Sequence, residues 1–299
     1  MTDKVNREEK NAVFKDGEKQ KSPAKSQAPK ARPNKMSNPL AELGIEIPDE
    51  LVPLPSTGKT YPVDSVLHGA ECVEIKRMTA TEEDILTSRA LIKNGTVISR
   101  LIKSCMTDKT VDTRELLLGD RNAIMVAIRV TGYGARYDVT IDCPKCNTPI
   151  EKTIDLSQLP IKQLTIDPIE VGTNAFKLVL PVTKAEVVFK FLTGADEEAM
   201  SVESDRRKKI LKTYEEQTVT TQLRYSLLSV NGRTEQGLLA KFAQHCISED
   251  SAFLRKYIDD NEPGVNMRTE IKCPDPDCGC QKEVAIPLGV TFFWPNARE

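Results

Sequence analysis

Histidine is almost missing from this 299-residue chain, which has only His68 and His245. Chemistry that needs an imidazole base therefore has just two candidates. Long apolar runs are missing as well. No stretch of about 18 apolar residues exists to span a bilayer, and the polar N-terminus has no apolar signal-peptide core. The expectation is a folded chain that is soluble and not exported. Its 39% hydrophobic content suffices for one large or two modest cores.

Charge is balanced overall but not along the chain. Residues 1–35 hold ten Lys/Arg against five Asp/Glu, and the rest holds 32 against 39, so +5 and −7 sum to −2. A basic tail can touch nucleic acid, but an acidic body does not sustain phosphate-driven binding, so nucleic acid is not the expected partner. Residues 1–37 carry few large apolar side chains to offset the entropy of ordering and read as a disordered basic tail. Residues 38–69, with Pro39, Pro48, Pro53, Pro55 and Pro62, read as an extended proline-rich lead-in, because prolines at this density exclude a helix.

From residue 70 the pattern becomes regular. Residues 71–77 read as a strand; Thr79 or Thr81 then caps a helix opening on Glu82-Glu83-Asp84, acids suited to a helix N-terminus. Asn94-Gly95 ends it. Val97, Ile98, Leu101, Ile102 and Cys105 share one helical arc, and Ile124, Ala127 and Ile128 share another. Tyr137–Asp142 and a stretch ending Ile154-Asp155-Leu156 read as strands around Cys143-Pro144-Lys145-Cys146. The order then recurs: Ala185-Glu186-Val187-Val188 echoes Ala70-Glu71-Cys72-Val73, and Leu192-Thr193 with Glu197-Glu198 echoes Met78-Thr79 with Glu82-Glu83. Ile271-Lys272-Cys273-Pro274 echoes Ile141-Asp142-Cys143-Pro144. Helical faces are expected for Leu223, Leu227 and Val230, for Leu238, Leu239, Phe242 and Cys246, and for Phe253, Leu254, Tyr257 and Ile258. The expected fold is α+β, two divergent repeats of strand, helical cluster and Cys-bearing β-hairpin (residues 70–156 and 185–299, with linker strands at 157–184), joined at a structural zinc site.

Eight cysteines in a chain that is not secreted are expected to be reduced. Two C-x-x-C-type turns can present four thiolates to one tetrahedral zinc ion. The ligands expected are Cys143, Cys146, Cys273 and Cys278, with Cys280 in reserve. Asn147 and Gly279, just after Cys146 and Cys278, both tolerate the left-handed backbone such a turn needs. The alternatives are inert thiols or a redox pair; residues 148–154 read as a return strand, however, where a redox motif would open a helix. Cys72, Cys105 and Cys246 sit on apolar faces and read as core, and His245 as a helix-surface imidazole. Ser56-Thr57-Gly58-Lys59-Thr60 looks like the end of a phosphate loop, but Pro53 stands where its first glycine belongs and no apolar strand precedes it. The run Arg206-Arg207-Lys208-Lys209 reads as charge near a helix C-terminus.

Several stretches together resemble the T-even-type contractile-tail bacteriophage baseplate protein family. They are Leu54–Pro62, Met78–Leu86, Leu117–Asn122 with Arg129 and Tyr133-Gly134, Cys143–Cys146 and, more weakly, Phe292–Pro295. The resemblance implies a non-enzymatic hub component or hub/tape-measure assembly factor, found in the host cytoplasm during assembly or in the virion baseplate. Its partners would be other baseplate hub or tape-measure proteins, with an oligomer within the hub as one form. The proline-constrained Leu54, Pro55 and Tyr61 and the aromatic Phe292, Phe293 and Trp294 are the expected partner surface, with closure over the chain's own core as the alternative. A zinc-ribbon nucleic-acid-binding regulator using the basic tail is the second functional expectation.

Overall fold

The computed structural model describes residues 41–45, 48–210, 218–288 and 290–293. The expected tail, residues 1–37, lies outside them. Helices and strands alternate in an α+β arrangement whose sheets are small.

The lead-in enters as strand β1 (Glu50–Pro53), antiparallel to β2 (Cys72–Ile75). Between them the chain does not stay extended. It folds into tight turns over residues 55–61, with Gly58 at φ +70°. A Cβ there would lie 2.4 Å from both the Ala70 nitrogen and the Leu67 carbonyl oxygen, so only glycine fits.

Helix α1 (Ala80–Thr87) begins where expected. Thr79 and Glu82 form a reciprocal capping box, and Glu82 is fully buried. Its carboxylate accepts from Lys76 Nζ (2.7 Å), Ser104 Oγ (2.6 Å), Thr79 N (2.9 Å) and Thr79 Oγ1 (2.6 Å). Burial alone would raise the Glu82 pKa, but these bonds outweigh it and lower the pKa to about 2. A carboxylate depressed in the folded state stabilises the fold above its ordinary pKa near 4.5, and that contribution disappears as pH falls towards 2. The shift corresponds to about 3 kcal/mol. Glu82→Gln should therefore lower the melting temperature at pH 7 and flatten its dependence on pH between about 5 and 2. An unchanged acid limb in thermal melts of the variant would contradict this account.

Beyond a break at Ser88 come α2 (Arg89–Lys93), α3 (Val97–Cys105) and the long α4 (Leu118–Tyr133). Val97, Leu101, Ile102 and Cys105 of α3 are buried, as are Ala123, Ile124, Val126 and Ile128 of α4. Then follow the hairpin β3 (Arg136–Asp142) with β4 (Pro149–Asp155), the short β5 (Ile161–Lys162), and β6 (Phe176–Val179) with β7 (Glu186–Phe189). Two helices come next, α5 (Gly194–Ile210) and α6 (Thr218–Ser226).

Leu227 and Val230 depart from the helical expectation. They belong to β8 (Leu227–Val230), which adds to β7 as the third strand of the sheet. The reason is the turn that follows. Asn231 and Gly232 both take positive φ (+46° and +74°), and Val230 and Arg233 exchange backbone hydrogen bonds across them (3.0 and 2.9 Å), a tight two-residue reversal that a helix cannot contain. Helices α7 (Gln236–His245) and α8 (Ser248–Asn261), strand β9 (Gly264–Val265) against β5, and the hairpin β10 (Arg268–Lys272) with β11 (Gln281–Ala285) complete the body.

One core cluster draws on both halves of the chain: Ile75, Leu101 and Ile124 from the first, Phe176, Phe189, Phe191 and Leu254 from the second, and Phe292 and Phe293 from the terminal 3-10 turn. The start of α1 recurs at the start of α5. Lys190 Nζ binds Asp196 (2.7 Å), and Asp196 accepts from Thr193 N (3.0 Å) and Oγ1 (2.9 Å), as Glu82 does from Lys76 and Thr79. The sheets around the two devices differ, since β2 pairs with β1 whereas β7 is the centre of three strands.

Candidate metal centre

The two cysteine hairpins close in the same way. In the first, Cys143 N donates to Thr148 O (2.9 Å), Asn147 N to Cys143 O (2.8 Å), and Asn147 takes φ +58°. In the second, Cys273 N donates to Cys280 O (2.8 Å), Cys278 N to Asp275 O (3.2 Å), and Gly279 takes φ +56°. The left-handed residue after Cys146 and after Cys278 turns each chain back so that paired thiols stand at one tip. Cys280 takes the place of Thr148, just before the return strand, where its carbonyl accepts from the first cysteine of the hairpin.

The hairpins meet tip to tip. Cys143 Sγ lies 3.8 Å from Cys278 Sγ, and Cys146 Sγ lies 3.5 Å from Cys273 Sγ. All four sulfurs fall within 4.8 Å of one another. A tetrahedral zinc ion with Zn–S bonds of about 2.3 Å sets its sulfurs about 3.8 Å apart, so this donor set fits such an ion. Cys143, Cys273 and Cys278 are buried and Cys146 is exposed. They form a small cluster of their own with Ile150 and Ile271, with Ile141, Val284 and Cys280 packed against it. Backbone N–H groups of Lys145 and Cys146 lower the Cys143 pKa to about 6, whereas burial raises that of Cys278 to about 12. Lys145 Nζ, bound to Cys278 O at 2.7 Å, ties the two tips together and brings a positive charge to the thiols. Four sulfur donors would close the coordination sphere, a set suited to holding structure and not to activating water.

The other singled-out residues are placed differently. Leu54, Pro55, Tyr61, Phe292 and Phe293 are all buried within this chain, and Trp294 lies outside the described residues. Phe292 packs edge-on against Tyr137 (5.1 Å) and Phe293 (5.1 Å). The reason for this inward packing lies in two polar anchors that sequence spacing does not reveal. Asp120, fully buried on α4, accepts from Ser56 N (2.9 Å), Ser56 Oγ (2.5 Å) and Tyr61 OH (2.5 Å), and Tyr61 OH in turn accepts from Leu117 N (3.1 Å). Burial and the neighbouring carboxylate hold Tyr61 well above its ordinary pKa. The Ser56 amide and hydroxyl are thus already held by the Asp120 side chain, in keeping with the failure of the Ser56–Thr60 turn as a phosphate loop. Arg129, 1% exposed, donates to the carbonyls of Phe292 (2.8 Å), Gly134 (2.6 Å) and Arg136 (3.0 Å), fastening the C-terminal turn to α4 and β3. Cys105 is buried, as expected, while Cys72 is exposed and Cys246 half-buried.

An α+β body carrying a four-cysteine metal-type centre defines the class, and comparison with known families supplies the rest. The family model described as T4 bacteriophage base plate protein matches residues 51–294, most of the chain, and the chain belongs to that family. No curated protein and no solved structure matches it. Among the described residues no helix is long and apolar enough to cross a membrane.

Proposed function

We propose that the chain is a non-enzymatic component of the phage baseplate hub, or a factor in hub and tape-measure assembly, and that it acts through protein contacts. The family match over residues 51–294 supports the baseplate part of this reading. Residues within the stretches that resemble the family also have mechanical work in this fold: Asp120, Arg129 and Glu82 each fasten one segment to another. We assign the four thiols of Cys143, Cys146, Cys273 and Cys278 to one structural zinc ion, with support from their spacing and from the matched hairpins. Such an ion would join segments about 130 residues apart, between the two halves. The recurrence of the lysine–threonine–acid device and of the cysteine hairpin supports an origin by duplication.

With Leu54, Pro55, Tyr61, Phe292 and Phe293 taken up by the core, contact with hub partners falls to exposed neighbours in the lead-in, Leu51, Val63 and Val66. Phage lacking this chain should make no complete baseplates, and supplying the chain in trans should restore them. Normal tails in its absence would overturn the assembly role. Mass spectrometry of purified tails then separates a permanent virion subunit from a factor that departs.

A further inference from the structure

Helix α5 is long, yet it contributes little to the core. Beyond Gly194 none of its described side chains is buried, whereas α4, one residue shorter, buries nine residues. A groove of about 700 Å3 runs along α5, and its lining includes Ala195, Glu198, Ala199, Val202 and Arg206. These positions fall at i, i+3, i+4, i+7 and i+11, a single stripe along the helix. Val202, at the middle of the stripe, is 63% exposed. Arg206 is exposed and, among the described residues, enters no ion pair. Glu198 is positioned at the groove by Ser99 Oγ and Arg114 Nε, which donate to its two carboxylate oxygens and leave further lone pairs free to accept.

The order of charge along α5 indicates the occupant. Asp196-Glu197-Glu198 opens the helix and Arg206-Arg207-Lys208-Lys209 closes it. Each block suits its end of the helix dipole, but the two also stand at matching distances on either side of Val202. We infer that the groove receives α5 of a second copy of the chain, laid antiparallel about a two-fold axis at Val202. Residues equally far before and after position 202 then meet. Val202 of one copy touches Val202 of the other, Glu198 faces Arg206, and Ala195 faces the aliphatic stem of Lys209. The small side chains of Ala195 and Ala199 let the two helices approach closely, and antiparallel helix dipoles attract. Because the stripe matches itself, the contact is isologous and closes at a dimer. A phosphate chain is disfavoured in the same groove, since Glu198 and Glu203 both stand in its lining.

One helix pair is a small interface, so the dimer should be weak, with a micromolar dissociation constant. Sedimentation of the purified full-length chain over a rising concentration series should show a monomer–dimer equilibrium that weakens as salt rises. Val202→Lys sets two ammonium groups against each other at the axis, and Arg206→Glu sets a carboxylate against Glu198; each should weaken association by about tenfold or more. Both side chains are exposed, so the melting temperature of either variant, taken at a dilution where the parent is monomeric, should be unchanged. Val202→Cys should join two chains through a short bismaleimide in high yield. Val179→Cys, at an exposed valine on β6, should give no more of this product than the parent. A monomer at every concentration would give the groove to another occupant and overturn the inference, while leaving the genetic test of the assembly role untouched. A dimer unmoved by Val202→Lys and Arg206→Glu, or equal cross-linking through positions 202 and 179, would overturn it as well.

Discussion

Replacing Cys143 or Cys278 by serine should remove the metal from the protein and loosen the two hairpins together. The hairpins contribute few buried apolar side chains to one another, so the ion would supply most of what joins them. Structural zinc sites bind with apparent free energies of about 10–16 kcal/mol, and because the site forms only on folding, that binding acts as folding energy. Elemental analysis of protein purified without added metal should find about one zinc per chain in the parent and none in either variant, as expected of a four-thiolate site stripped of one ligand. Chelation of the parent should lower its melting temperature and open the 143–148 and 273–280 turns to proteolysis. Cys280→Ser provides the internal control. Cys280 stands where Thr148 stands in the first hairpin, just before the return strand, so its removal should leave the metal in place. Metal lost on Cys280→Ser and retained on Cys278→Ser would reverse the ligand assignment. Four freely titratable thiols in folded, metal-free protein would end it.

Phe293→Ala should destabilise the isolated protein by about 3–5 kcal/mol, the range for truncating a large side chain in a packed core. For a chain of this size each kcal/mol moves the midpoint by roughly 2–4 °C, so thermal denaturation should show a fall of about 10 °C. Phe293 and its neighbour Phe292 are fully buried, and Arg129 holds the Phe292 carbonyl in place, so the surroundings cannot collapse freely into the space left behind. Removing only the Arg129 guanidinium, in Arg129→Met, should give a comparable loss by another route, leaving three carbonyls without their donor. An unchanged melting temperature for Phe293→Ala would return the aromatic turn to the list of free surfaces available to a partner.

What could be read from the residues alone was local in origin. The capping box at Thr79 and Glu82, the apolar faces of α3 and α4, and both cysteine hairpins are set by residues a few positions apart, where turn and cap preferences act directly. Asn147 and Gly279 mark where each hairpin turns back because few other residues accept a left-handed backbone. Asn231-Gly232 carried the same kind of signal, and it outweighs the helical spacing of Leu227 and Val230 by pairing them into a sheet with β7. Tertiary structure alone decided the rest. Nothing near Asp120 in the chain indicates that its carboxylate holds a turn 64 residues away, or that Arg129 reaches a carbonyl 163 residues on. Proline spacing and a run of aromatics are equally compatible with a free docking surface and with a buried one. Burial was settled when Asp120 and Arg129 drew those segments onto α4, and the shared geometry of four sulfurs arose only when two hairpins from opposite halves of the chain met. Local preferences act through a few neighbouring torsions, but long-range pairing depends on which surfaces the whole core leaves room for.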